Sequence, residues 1–302
     1  MKNYAYMVHV THPESDLSEA SDKLFLKCVE SFFHHSGEES NLIIYTRPSQ
    51  KNIDSIRNYP NVSIKYLDEE LWLASKIGCK IKSIPHALLK IPQDANVLVL
   101  DSDLFFNGNP FEVFENSFDF FVTSRTCNLQ IKDLITPYFK ERGEEFITFL
   151  SNFEYNSKIS INGGVWGFVN NEAARSLLSL FVEQINRPSW DSFITFTSEQ
   201  NLASGREPDA VGGGWWWRDQ DFLNTVHIES KKEILSSVKI HTENYRYNYI
   251  PPIPMRSHCS PFPEERLHEE AKAQVEKLKN EGDLKIIHLC GLLKKLVNTQ
   301  EW

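Results

Sequence analysis

Two aspartates separated by one residue, Asp101-Ser102-Asp103, follow a run of four apolar residues, Val97 to Leu100. Side chains two apart on a strand project to the same side, about 6.5 Å apart along the backbone, so both carboxylates can converge on one cation. The apolar run is rich in branched side chains and suits a strand buried on both faces of a sheet. Asn107-Gly108-Asn109-Pro110 then turns the chain. The acids are thereby left at a carboxyl-terminal strand edge, where open α/β sheets bind ligands. Acids that merely end a strand would give the same triplet, and residues farther along the chain decide between the two readings.

Three downstream stretches carry side chains suited to the same chemistry. Ile161-Asn162-Gly163-Gly164-Val165 puts two glycines in the middle of a strand pattern spanning 159–168. Glycine weakens a strand unless something must approach its backbone closely. Arg218-Asp219-Gln220-Asp221-Phe222-Leu223-Asn224 offers a carboxylate and amides that can fix hydroxyl groups by directional hydrogen bonds, although Asp219 could equally cap a helix. His288 is followed by Gly291 and Lys294, an imidazole and an ammonium group in one short segment. Upstream, Lys82 precedes the acidic strand at a distance from which it could fold back over bound phosphates. Lys76 and Lys80 share one helix face and read as solvated surface charges.

In this order, the acid pair, Asn162-Gly163-Gly164, Asp219-Gln220-x-x-Leu223-Asn224 and His288-x-x-Gly291-x-x-Lys294 resemble the retaining glycosyltransferase family that includes glycogenin and the bacterial lipopolysaccharide galactosyltransferases. The resemblance implies an A-type glycosyltransferase fold: one α/β domain around a mainly parallel sheet, Rossmann-like, with a C-terminal insertion. It implies Asp101, Asp103 and His288 as ligands of a divalent metal, Mn²⁺ or Mg²⁺, with the imidazole favouring Mn²⁺. It places Lys294, Gly291, Gly164, Val10, Thr11 and Ser102 around a nucleotide-sugar donor, a UDP-sugar by family habit, and Lys82 joins them from its position before the acidic strand. It places Asp219, Gln220 and Asn162 at the reacting sugar. An amide such as Gln220 is a poor nucleophile, so attack from the face of the departing phosphate is favoured over a covalent double displacement. Where the family commonly presents an Asp to the sugar, this chain has Thr123, Ser124 and Arg125, and Lys295-Leu296 stands where the family has Pro-Trp. The implied acceptor is a glycan, a lipid-linked saccharide or a protein. Two other readings stay open: a non-catalytic nucleotide-sugar or glycan-binding module, and a nucleotidyltransferase.

The elements that must position these groups follow from hydrophobic periodicity. Strands are expected over 4–10, 42–45, 62–66, 97–100, 118–122 and 159–168. Amphipathic helices are expected over 19–34 and after Asn170 or Asn171, and a helix before the acidic strand should break or bend at Pro85. Alternating strands and helices indicate a doubly wound sheet. Residues 1–224 read as the donor-binding core, 225–285 as an acceptor-side insertion or lid, and 286–302 as a segment returning to the core. In the insertion, Tyr245, Tyr247 and Tyr249 alternate, prolines stiffen the chain after them, and Leu267, Ala271, Val275 and Leu278 make one apolar helix face. His241, Arg246, Arg256 and His258 are candidate acceptor contacts. Gly212-Gly213-Gly214-Trp215-Trp216-Trp217 reads either as an aromatic plug or as a sugar-stacking lid.

Composition excludes several classes. With 302 residues, 41% hydrophobic and 24% charged, the chain can bury a substantial core. A formal charge of −9 argues against a nucleic-acid backbone as the main partner. Five cysteines without a Cys-x-x-Cys spacing, and an N-terminus without a secretory pattern, point to a reduced, cytoplasmic setting. No run of residues is apolar enough to span a bilayer, and the C-terminal Leu292, Leu293, Leu296 and Val297 beside Lys294 and Lys295 form only a small patch for peripheral membrane contact.

Overall fold

A computed structural model describes residues 1–11, 18–37, 39–68, 78–125, 160–185, 238–243, 245–249 and 284–289, together with residues 223, 265, 266, 269, 272, 273, 276, 279, 280 and 294. Seven strands form the main sheet: β1 (Asn3–His9), β2 (Asn41–Thr46), β3 (Val62–Tyr66), β4 (Asn96–Leu100), β6 (Phe120–Arg125), β7 (Ser160–Val169) and β8 (Ile240–Glu243). Their order is β3-β2-β1-β4-β7-β6-β8. Strands β3, β2, β1 and β4 run parallel, β7 is antiparallel to both its neighbours, and β8 is parallel to β6. A second, two-stranded antiparallel sheet pairs β5 (Leu104–Phe106) with β9 (Ile286–His288).

Strand pleating sorts the core into two layers, because alternate residues face opposite sides. On one side, Tyr6, Val97, Val99, Trp166 and Phe168 pack with Ile84 and Ala87 of α3 (Gly78–Leu88) and with Ala174, Leu177 and Leu178 of α4 (Glu172–Ile185). On the other, Ala5, Met7, Leu98, Leu100 and Phe121 pack against Phe25, Cys28, Val29 and Phe32 of α1 (Ser18–Ser36). Every residue from Val97 to Leu100 is at most 1% exposed, as expected of a strand covered on both faces. The short α2 (Ile53–Ile56) lies between β2 and β3.

Of the break or bend expected at Pro85, the break does not occur: the helix before β4 runs on through it. Pro85 falls in the last part of the helix, and its carbonyl still accepts from Leu89 N–H at 3.3 Å. Asn171 caps α4, its Oδ1 accepting from Ala174 N–H at 2.9 Å. The strand expected over 118–122 begins two residues later and continues through Thr123-Ser124-Arg125. Residues 225–285, read from sequence as an insertion, supply β8 to the main sheet. Tyr245–Tyr247 form a 3-10 turn, and Tyr247 and Tyr249 are buried in the core. Arg256, His258, the tryptophan run and the apolar face of the helical positions between 265 and 280 lie outside the described residues. Among those described, no helix is long and apolar enough to cross a membrane.

Candidate metal and donor site

The site is built where the sheet changes its winding. From β1 the chain proceeds to β2 and β3 on one side, whereas β4 lies on the other, and such switch points are where open sheets take ligands. Asp101 follows β4 directly, and its N–H donates to Gly164 O at 2.8 Å, extending the β4–β7 ladder by one rung. Asp103 precedes β5. Pairing of β5 with β9 sets Leu104 opposite His288, and Leu289 N–H donates to Asp103 O at 2.9 Å. Acids and imidazole, remote in sequence, are thus joined by backbone hydrogen bonds.

Asp101, Asp103 and His288 each offer one ligand atom, all within 4.8 Å of one another. His288 Nε2 lies 3.1 Å from Asp103 Oδ1 and 3.6 Å from Asp101 Oδ2. Lys294 Nζ lies 2.9 Å from Asp103 Oδ2. Burial works against the charged form of Asp103, but Lys294 and His288 outweigh it and hold the carboxyl well below the usual carboxylate range. Two carboxylates and one imidazole form an oxygen-rich donor set with one nitrogen, which fits a divalent cation.

The structure adds a cation that sequence reading placed in solvent. Lys80 is 5% exposed. Its Nζ donates to Asp101 Oδ1 and to Gly163 O, both at 2.6 Å. The solvated reading of Lys80 is therefore corrected: α3 packs this face onto the end of β4 rather than presenting it to water. Its i, i+4 spacing from Lys76 carries no signal of that burial. Lys82 is on the same helix, with its side chain outside the described residues.

The two glycines of β7 have a physical cause. The β6–β7 register jumps here, Val122 pairing with Trp166 and Thr123 with Asn162, so the backbone bulges at residues 163–165. Gly163 O receives Lys80, and Gly164 lies under the His288 ring. A Cβ on Gly164 would stand 2.5 Å from His288 Cε1 and Nδ1 and 2.7 Å from Asn162 Oδ1. The close approach anticipated at this glycine is that of the imidazole.

Other sequence candidates occupy the margins. Thr11 follows β1 by two residues; its hydroxyl donates to Asp22 Oδ1 at 3.1 Å and accepts from Gln50 Nε2 at 2.7 Å. Val10 packs against the core. Ser102 Oγ lies 3.0 Å from His9 Nδ1, and His9 Nε2 lies 3.0 Å from Asp22 Oδ1. Asp219, Gln220 and Gly291 lie outside the described residues. His241 stacks on Phe118 and pairs with Glu243 at 2.7 Å, and Arg246 lies 3.9 Å from Glu112.

The buried His9, missed in the sequence because it simply ends β1, should govern acid sensitivity. Burial depresses its pKa, with Asp22 opposing. Below about pH 6.5 an unfolded chain protonates this imidazole while the folded chain does not, so stability falls with decreasing pH until the depressed folded value is passed. Urea unfolding at pH 7.5 and 5.5 should show this loss, at most about 1.4 kcal/mol per pH unit from one group. His9→Gln should show a smaller loss.

No protein-family model matches the sequence, and no curated protein matches it. Among solved structures, the WbbM bifunctional glycosyltransferase superposes over 96% of this chain with a TM-score of 0.50 at 12% identity. The fold is that of the A-type glycosyltransferases. This chain spans 46% of the WbbM chain, just under half its length. Mouse xyloside xylosyltransferase 1 has a TM-score of 0.47 at 15% identity, covering 95% of this chain and 96% of its own. Galactosyltransferase LgtC, solved with donor and acceptor sugar analogues, has a TM-score of 0.45 at 12% identity, covering 95% and 87%. Within the A-type fold, the acid pair here ends β4 and the histidine arrives on β9.

Proposed function

We propose that this protein is a metal-dependent, retaining glycosyltransferase that moves a sugar from a nucleoside-diphosphate donor, UDP by resemblance, to a glycan, lipid-linked or protein acceptor. The observation that carries the reading is the convergence of Asp101, Asp103 and His288 at the carboxyl edge of the parallel strands, flanked by Lys80 and Lys294. Two carboxylates and two ammonium groups nearly cancel in charge. A bound divalent ion supplies the excess positive charge that draws a diphosphate and stabilises negative charge as it departs.

Asp101, Asp103 and His288 hold that ion, Mn²⁺ in preference to Mg²⁺. Lys294 turns from Asp103 to a phosphate oxygen and steadies the leaving diphosphate. Lys80 keeps Asp101 aimed while staying bonded to the β7 backbone. Val10, Thr11 and Ser102, at the edges of β1 and β4, border the nucleoside. Lys82 and Gly291 border the phosphates. Gly164 and Asn162 form the floor beside the sugar, and Asp219 and Gln220 complete it. Gln220 offers an amide where a covalent route would need a carboxylate, so the acceptor attacks on the face from which the diphosphate leaves.

Incubation with Mn²⁺ and a panel of nucleotide sugars, following nucleoside diphosphate release, tests this. Slow Mn²⁺-dependent release from a UDP-sugar is expected. Binding without release would replace the reading with a non-catalytic module, and pyrophosphate formation would replace it with a nucleotidyltransferase. Lys294→Ala is expected to lower kcat by about 10²–10³-fold, the effect of losing one charge-stabilising donor. Because Lys294 competes for Asp103, the same variant should bind Mn²⁺ no more weakly than wild type, as electron paramagnetic resonance titration would show.

A further inference from the structure

Behind the histidine stands a chain of hydrogen bonds whose direction is fixed at one end. Gly164 N–H can only donate, and it does so to Asn162 Oδ1 at 2.7 Å. That oxygen is therefore an acceptor, so the Asn248 atom 2.8 Å from it is the amide nitrogen. The second Asn248 N–H goes to Thr123 Oγ1 at 2.9 Å, and the Thr123 hydroxyl donates onward to Val165 O at 2.6 Å. With both its protons committed, Asn248 turns its carbonyl oxygen to His288 Nδ1, 3.1 Å away. An amide oxygen only accepts, which requires a proton on Nδ1. Nε2 is then the ring nitrogen left facing Asp103 and Asp101.

Asn248 is 1% exposed, Asn162 5% and Thr123 0%, so water cannot substitute for these partners at little cost. We infer that Asn248 is a positioning residue for metal binding: with Asn162 it transmits the polarity of the Gly164 amide to the His288 ring and fixes the tautomer whose Nε2 is a ligand. Partners behind a ligating histidine commonly set its orientation and tautomer, and their loss costs about 10–100-fold in metal affinity. The inference rests on the metal reading above. It adds a residue from the 225–285 segment, which the resemblance leaves without a counterpart.

Two measurements on the full chain decide it. The first uses metal-free, ¹⁵N-labelled wild type, with the ring signals of His288 identified by their loss in His288→Gln. Long-range nitrogen–proton correlation spectra should show Nδ1 protonated and its proton slow to exchange; a bare Nδ1 with the proton on Nε2 alone overturns the relay. The second is Mn²⁺ titration of Asn248→Leu followed by paramagnetic resonance, with circular dichroism checking the fold. Affinity about 10–100-fold weaker is expected, together with reduced ¹⁴N coupling of the bound Mn²⁺, which a packing defect away from the ring would not produce. Wild-type affinity and coupling in the folded variant overturn the inference. Should Asn248→Leu fail to fold, the wild-type ring spectrum decides alone. Should wild type bind no Mn²⁺, the metal reading falls, while the ring spectrum still tests the relay.

Discussion

Asp103→Asn is expected to lower Mn²⁺-dependent turnover of a nucleotide sugar by about 10³-fold or more, since a bound cation contributes several kcal/mol to stabilising the charge of a departing diphosphate. The effect is large because Asp103 meets His288 on one carboxylate oxygen and Lys294 on the other. An amide offers a single accepting oxygen, and its NH₂ group would oppose a donor. Mn²⁺ affinity should fall along with turnover, whereas a residue acting only on the acceptor would leave affinity unchanged. Mild acid should not imitate the substitution through Asp103 itself. Asp103 is held below the usual carboxylate range, so its contribution to stability, present above the unfolded value near 4, is lost only as pH falls through the lower folded value. Turnover compared with Mn²⁺ titration of wild type and Asp103→Asn checks the first statement, and urea unfolding of both at pH 7.5 and pH 5.5, where their difference in stability should not change, checks the second.

Gly164→Ala should be damaging out of proportion to a change of one methyl group. The added carbon would overlap the His288 ring and the Asn162 carbonyl oxygen, both under 3 Å away. The ring cannot retreat easily, because β9 is bound to β5 on one side and to Tyr249 on the other. Overpacking of this kind costs about 1–3 kcal/mol of stability. Displacing the imidazole should also weaken Mn²⁺ binding by more than about tenfold, comparable to losing a partner behind a ligating histidine. Chemical denaturation and Mn²⁺ titration separate the two effects. An unaltered affinity with reduced stability would show that the ring's position on Gly164 serves packing alone.

Those two substitutions fall on residues that stood out in the sequence, and the reasons are physical. A buried parallel strand needs apolar residues on both faces, so Val97 to Leu100 announced both strand and edge, and Asp101 and Asp103 were visible against it. A strand containing two glycines signalled a close approach, although only the fold shows that His288 makes it. His288 and Lys294 were legible as a pair only through the motif that carries the family resemblance. Lys80 was not, because its environment depends on how α3 rotates against β4, and local periodicity leaves that open. Asn248 was hidden for a similar reason. It lies between two buried tyrosines in a 3-10 turn and bridge that obey neither the helical nor the strand period. The β7 bulge arises from pairing with β6, a relation between segments separated in sequence. His9 and Asp22 meet through packing of α1 on the sheet, another tertiary event.

Diffraction from crystals grown with Mn²⁺, recorded where manganese scatters anomalously, tests the central claim most directly. The expected result is one strong anomalous peak per chain, bounded by a carboxylate oxygen of Asp101, a carboxylate oxygen of Asp103 and His288 Nε2. A peak elsewhere, or no peak among these three side chains at saturating Mn²⁺, would contradict it.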